Sequence, residues 1–150
     1  MNKIKLAVLT ILATAVMSLN TVAQASGIGF IDYKKIQENY SYAKDAVKEV
    51  DAKALELQQY LVDKEKEFKS LDTPVKKKNF EEKTAKEFKV KQEAYLKLKV
   101  EKEEAVYGKI QEVAKQVLVD QKLDAIVDFR VIFVGGCDIT NLVLQKLNGK

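Results

Sequence analysis

"SLDTPVKKK", residues 70–78, holds the chain's only proline, Pro74. Proline disfavours helical geometry at the residue before it, here Thr73, and is welcome at the first position of a helix. Asp72 and Thr73 both carry side chains able to cap a helix start. The stretch therefore reads as a tight break at residues 71–73 and a new helix opening at Pro74. Whether that break kinks one rod or turns a hairpin decides the fold.

Upstream, the apolar residues keep a heptad beat from Ser41 to Leu71. Ala43, Val47, Val50, Ala54, Leu57, Leu61, Phe68 and Leu71 alternate steps of four and three, with only Lys64 interrupting. That is the seam of a coiled coil, and the remaining faces carry Lys, Glu, Asp and Gln. Downstream, a second helix is expected from Pro74 to about Asp120. Phe88 and Tyr95 lie seven apart, as do Leu98 and Ala105, and their spacing places them inside a helical pair. Val106, Ile110, Val113 and Val117 continue in a shifted phase, the stutter expected where a coiled coil re-enters a globular base.

The chain ends choose between rod and hairpin. "GIGFIDY" (27–33), "DAIVDF" (124–129) and "VIFV" (131–134) read as strands, and an isolated strand is not stable. A helix from Pro74 to Asp120 is roughly 70 Å long at about 1.5 Å per residue, so two helices in line would hold the strands more than about 100 Å apart. Folding back at Pro74 brings them together. The expected fold is mainly α with a small β body: a long antiparallel coiled-coil hairpin over residues 43–105, projecting from residues 26–42 and 106–150.

The strands raise a further demand. Leu123, Ala125 and Val127 are expected on one face and Ile126 on the other, while Ile132 and Val134 oppose Val131 and Phe133. Strands apolar on both faces want cover on both. A terminal helix, capped by Thr140 and stapled by Ile139 on Leu144, supplies one cover. So small a body has a meagre core. Copies are therefore expected to associate through the sheet, with Ile28, Phe30, Ile126, Val127 and Phe133 as the candidate residues.

The first residues point to export. Lys3 and Lys5 make a basic start, Leu6 to Met17 is an apolar run broken only by threonines, and Ala23-Gln24-Ala25 fits a small-x-small cleavage pattern. This is a secretory signal with the cut expected after Ala25, and the localisation that follows is a periplasm or beyond. Removing Lys3 and Lys5 lowers the formal charge from +4 to +2. Cys137 is the only cysteine, so no intramolecular disulfide braces the chain.

Several functional classes recede. There is no histidine, the commonest general base and a common metal ligand. The carboxylates are strung along helices among lysines, not gathered in a pocket. Gly27-x-Gly29 lacks the third glycine and the following helix of a nucleotide fingerprint. No catalytic, cofactor or metal site is expected. Nucleic acid is not an expected partner either, because acids are interspersed with the lysines and no base-reading motif appears.

"IGFIDYKKIQENY" (28–40), the charged hairpin, and "LDAIVDF" (123–129) followed by "VIFVGGCDITNLVLQKLN" (131–148) resemble the Skp family, also called OmpH-like periplasmic chaperones. The resemblance covers residues 26–150. It implies a homotrimer in which a β-rich body holds three helical hairpins around a cavity. It also implies ATP-independent binding of unfolded outer-membrane proteins, which are kept from aggregating in transit. Two departures are visible: Gly135-Gly136-Cys137 shortens the turn before Asp138, and the cysteine is not a feature of the family.

The residues themselves suit a holdase, which needs a large surface of weak, dispersed contacts. From Lys64 to Lys99 there are twelve lysines against seven acids, a net +5. Lys76, Lys77 and Lys78 crowd the tip, and Lys83 and Lys86 continue along the returning helix. Such a field attracts acidic chains, an anionic membrane surface or lipopolysaccharide, and fades with salt. Phe68 and Phe80 near the tip are candidate apolar contacts. An exported coiled-coil scaffold without chaperone activity shares every helical feature and is the rival reading.

Overall fold

The computed structural model describes residues 27–149. The expected signal segment and its cut after Ala25 lie outside the described residues. The chain runs β1 (Ile28–Ile31), α1 (Tyr33–Asn39), α2 (Ser41–Lys69), α3 (Pro74–Asp120), β2 (Ala125–Asp128), a 3-10 turn (Phe129–Val131), β3 (Cys137–Asp138) and α4 (Thr140–Leu147). No helix among the described residues is long and apolar enough to cross a membrane.

The break falls where Pro74 places it. Thr73 is extended, and its hydroxyl accepts the backbone N–H of Lys76 at 3.3 Å, while Pro74 fills the first helical position. Asp72 takes a different part: its carboxylate accepts from Lys76 Nζ at 2.9 Å. The two long helices then run back along each other. Tyr60 reaches Glu87, Phe68 meets Phe80, and Lys102 pairs with Glu49, each contact crossing from α2 to α3.

The ends meet in a three-stranded sheet of order β2-β1-β3. Both pairings are parallel, with Ile28, Gly29, Phe30 and Ile31 opposite Ala125, Ile126, Val127 and Asp128. Side chains alternate across a strand, so Ile28, Phe30, Ala125 and Val127 share one face, and Gly29, Ile31 and Ile126 the other. A Cβ on Gly29 would lie 2.7 Å from Leu123 Cδ1 and 3.2 Å from Ile139 Cδ1. Glycine thus lets two apolar side chains lie against the strand. Leu123 consequently sits on the Ile126 face, not with Ala125 and Val127 as alternation alone suggested.

The core lies wholly at this base. Ile36, Val117 and Val143 are completely buried, joined by Ile31, Tyr40, Ala43, Ala46, Val106, Ile110 and Ile139. Between Ala46 and Val106 no side chain is fully buried. Two helices can cover each other's seam but not surround it, so even seam residues Val47 and Leu61 stay exposed.

Three expectations at the two ends of the chain are corrected. Val131–Val134 forms no strand. The Asp128 carboxylate accepts from the Arg130 backbone N–H at 3.0 Å and from its guanidinium at 2.8 and 3.0 Å, which turns the chain into the 3-10 segment. The apolar run is thereby carried off the sheet, and Cys137–Asp138 pairs with β1 instead. Thr140 does not cap α4 from outside. It is the helix's first residue, and the Asp138 carboxylate accepts its N–H at 2.9 Å. The β1 strand is also shorter than residues 27–33, because Asp32 caps α1 through Lys35 N and Tyr33 is already helical.

Candidate functional site

The tip is built from both arms. Phe68 of α2 and Phe80 of α3 pack with centroids 6.2 Å apart. With Leu61 and Phe88 they line an open apolar slot of about 410 Å³. Lys64, the residue that interrupts the heptad, stays in the seam. Its ammonium sits 5.3 Å from the Phe80 ring and 5.8 Å from the Tyr60 ring, and bonds Glu67 at 2.7 Å. The aromatic faces hold the charge there by cation–π attraction. Lys91 covers Tyr60 at 5.1 Å. Tyr60 donates to Glu87 at 2.8 Å; burial first, then that carboxylate, pushes the phenol up to about 12. The same hydrogen bond holds Glu87 below the usual carboxylate range.

The tip lysines do not form one uniform cluster. Lys77 is half-buried with its ammonium 5.4 Å from the Phe68 ring. Lys76 is paired with Asp72, whose carboxyl is lowered first by that contact. Lys83 lies 3.8 Å from Glu87. Only Lys78 and Lys86 of the five are exposed with no ion pair, hydrogen bond or ring contact among the described residues.

Closer to the base, the small side chains of Ala43 and Ala46 leave a groove of about 680 Å³ between the arms, bounded by Val47, Val50, Tyr95 and Val106. A second apolar feature escaped the heptad count because it lies off the seam. Leu96, Val100, Tyr107, Ala114 and Leu118 fall within about 40° of one another around α3 and span about 33 Å of it. Leu96, Val100 and Tyr107 are all about half exposed. The signal is their four- and seven-residue spacing, visible once the seam residues are set aside. The stripe runs down into a groove of about 510 Å³ beside β2, where Ile31, Ile110 and Ile126 join it.

The body candidates are divided by the sheet. Ile28, Phe30 and Val127 share the face away from Leu123, with Ile28 47% exposed and the other two half-buried. Ile126 is half-buried on the opposite face. Phe133 belongs to neither face, since it stands wholly exposed in the connection to β3. Cys137 is exposed on the edge strand.

No family model and no curated protein matches the sequence. Among solved structures the chain is similar to a protein described as an outer membrane chaperone (OmpH-like) from Caulobacter crescentus CB15. The identity is 14%, the match covers 83% of this chain and 85% of that one, and the TM-score is 0.38. At that depth the likeness carries no functional weight.

Proposed function

We propose that this protein is an ATP-independent holdase of the periplasm, binding unfolded outer-membrane proteins and keeping them from aggregating in transit. The observation that carries the reading is the undressed arm. Between Ala46 and Val106 no residue is fully buried, and Val47, Leu55, Leu61, Val62, Val90, Leu96 and Val100 are exposed along it. That exposed apolar surface is available for the apolar segments of an unfolded client to contact. Interspersed lysines keep that surface soluble and add attraction for acidic segments. The sequence resemblance to the Skp family points the same way.

In this reading copies join through the body as a homotrimer, and the arms enclose the client. The tip lysines, Lys78 and Lys86 foremost, hold the arms near an anionic membrane surface or lipopolysaccharide. Contacts are weak and dispersed, so a client leaves when it folds elsewhere, without nucleotide.

The test is light scattering. A β-barrel outer-membrane protein unfolded in urea is diluted into buffer with no nucleotide. Scattering is expected to be suppressed as the chaperone approaches stoichiometric amounts, and an unchanged aggregation curve at excess protein would leave the plain scaffold as the better account.

A further inference from the structure

Just past α4 lies the chain's only asparagine–glycine pair, Asn148-Gly149. Such a pair carries its own chemistry. A backbone nitrogen can attack the side-chain carbonyl carbon of the asparagine before it and close a five-membered ring. Glycine has no Cβ to crowd that nitrogen or to restrict its approach. Asn2, Asn20, Asn39, Asn79 and Asn141 are followed instead by Lys, Thr, Tyr, Phe and Leu, whose side chains hinder the attack.

Asn148 is also the residue that shuts the base. Its Oδ1 accepts from the Ser41 N–H and from the Ser41 hydroxyl, each at 3.0 Å, and its Nδ2 donates to the Asn39 carbonyl at 3.2 Å. Three bonds thus hold the amide across the junction of α1 and α2. The nucleophile is held as well. The Gly149 N–H donates to the Lys146 carbonyl at 3.2 Å. Asn148 has a ψ of 5°, which turns the Gly149 nitrogen toward Asn148's own nitrogen and away from its Cβ. Ring closure needs that nitrogen against Cγ. The backbone must first rotate, which breaks the Lys146 bond, and the side chain must turn to meet it, which pulls against Ser41 and Asn39.

We propose that Asn148-Gly149 is a self-modification site gated by the closed base. A helix end opens locally at little cost in free energy, and each opening frees the pair. The Gly149 nitrogen then bonds to Asn148 Cγ, and its proton leaves with the side-chain NH2 as ammonia, giving a succinimide. Water adds to one of the two ring carbonyls beside that nitrogen and breaks its C–N bond. Aspartate or isoaspartate is left at position 148, with no oxidant, metal or enzyme involved. The product does not reseal the base as before. A carboxylate has no N–H for the Asn39 carbonyl and sets oxygen against oxygen there, and isoaspartate also lengthens the backbone by a methylene. The closure is therefore lost chain by chain, in proportion to the time each has spent open.

Mass spectrometry of the C-terminal proteolytic peptide tests it, with isoaspartate scored by enzymatic methylation. The full protein is incubated folded and in urea. Conversion at position 148 is expected to be at least about tenfold slower in the folded protein, where the pair is protected except during local opening. Gly149→Ala is expected to suppress conversion in urea. Ser41→Ala, still helical by circular dichroism, removes one bond to the amide and is expected to convert faster than the parent when folded. Folded protein that has converted should exchange its Ser41 amide hydrogen faster than the parent. No conversion in urea would overturn the site itself. Equal rates folded and unfolded, or a folded Ser41→Ala chain that converts at the parental rate, would overturn the gate. Unchanged Ser41 protection after conversion would overturn the loss of closure.

Discussion

The hydroxyl of Thr140 accepts a hydrogen bond from the backbone N–H of Asp32 at 2.9 Å, tying the start of the described chain to its last helix. Thr140 is 1% exposed, so no water replaces that bond easily. Asn148 adds a second tie: its side-chain oxygen accepts from the Ser41 N–H and hydroxyl, both at 3.0 Å, and its amide donates to the Asn39 carbonyl at 3.2 Å. The hairpin is held shut at its base by these terminal contacts.

Thr140→Val keeps the shape and removes the acceptor. Leaving a part-buried N–H without a partner costs about 1–3 kcal/mol. Urea unfolding should show that loss for valine and little of it for Thr140→Ser. Equal midpoints for all three chains would mean that the tie is not made in solution.

Tyr60 gives the arm an alkaline signature. Its folded pKa of about 12 stands above the ordinary 10, so folding favours the neutral phenol. That stabilisation is complete below pH 10 and is lost as the pH rises through about 12. Tyr60→Phe should therefore flatten the fall in stability between pH 10 and 12. Tyrosinate absorbance should lose its late component in the same variant. Identical titrations for parent and variant would show that the Tyr60–Glu87 bond is open.

The tip lysines should separate by role. Lys77 covers Phe68, so Lys77→Gln should lower stability by about 0.5–1 kcal/mol, the scale of an exposed cation–π contact. Lys78→Gln and Lys86→Gln, changed together, should alter stability within about 0.5 kcal/mol each, as exposed helix substitutions do. The pair should nevertheless weaken binding to anionic vesicles, most clearly at low salt. Vesicle binding at parental strength in low salt would make these two lysines a solvated face only.

The large features were legible because each rests on one strong local rule. A single proline beside a capping threonine placed the turn, and a heptad interrupted only at Lys64 placed the arm. The shifted phase at Val106, Ile110 and Val117 marked re-entry into the base, and two of these three are among the most deeply buried residues of the chain. What failed was decided by competition between neighbours. The β-branched run at 131–134 has strand propensity, but the Asp128–Arg130 lock turns it away before it can pair. Cys137 and Asp138 lack that propensity and take the place beside β1. Lys64 looked like a fault in the seam, and while the Tyr60 ring that accommodates it is on its own helix, the Phe80 ring comes from α3, which no linear count reveals. Phe68 and Phe80 were legible as tip residues. Lys77, Lys78 and their neighbours were legible only as a group, because their separate partners depend on the register of the two arms.

The protein is proposed to be an assembled chaperone that captures a single unfolded chain. Mass measurement in solution tests it most directly, on the protein alone and after addition of one urea-unfolded β-barrel protein without nucleotide. Three copies are expected alone, and three copies plus one client after mixing. A single-copy protein, or a trimer whose mass is unchanged by the client while that client precipitates, would contradict it.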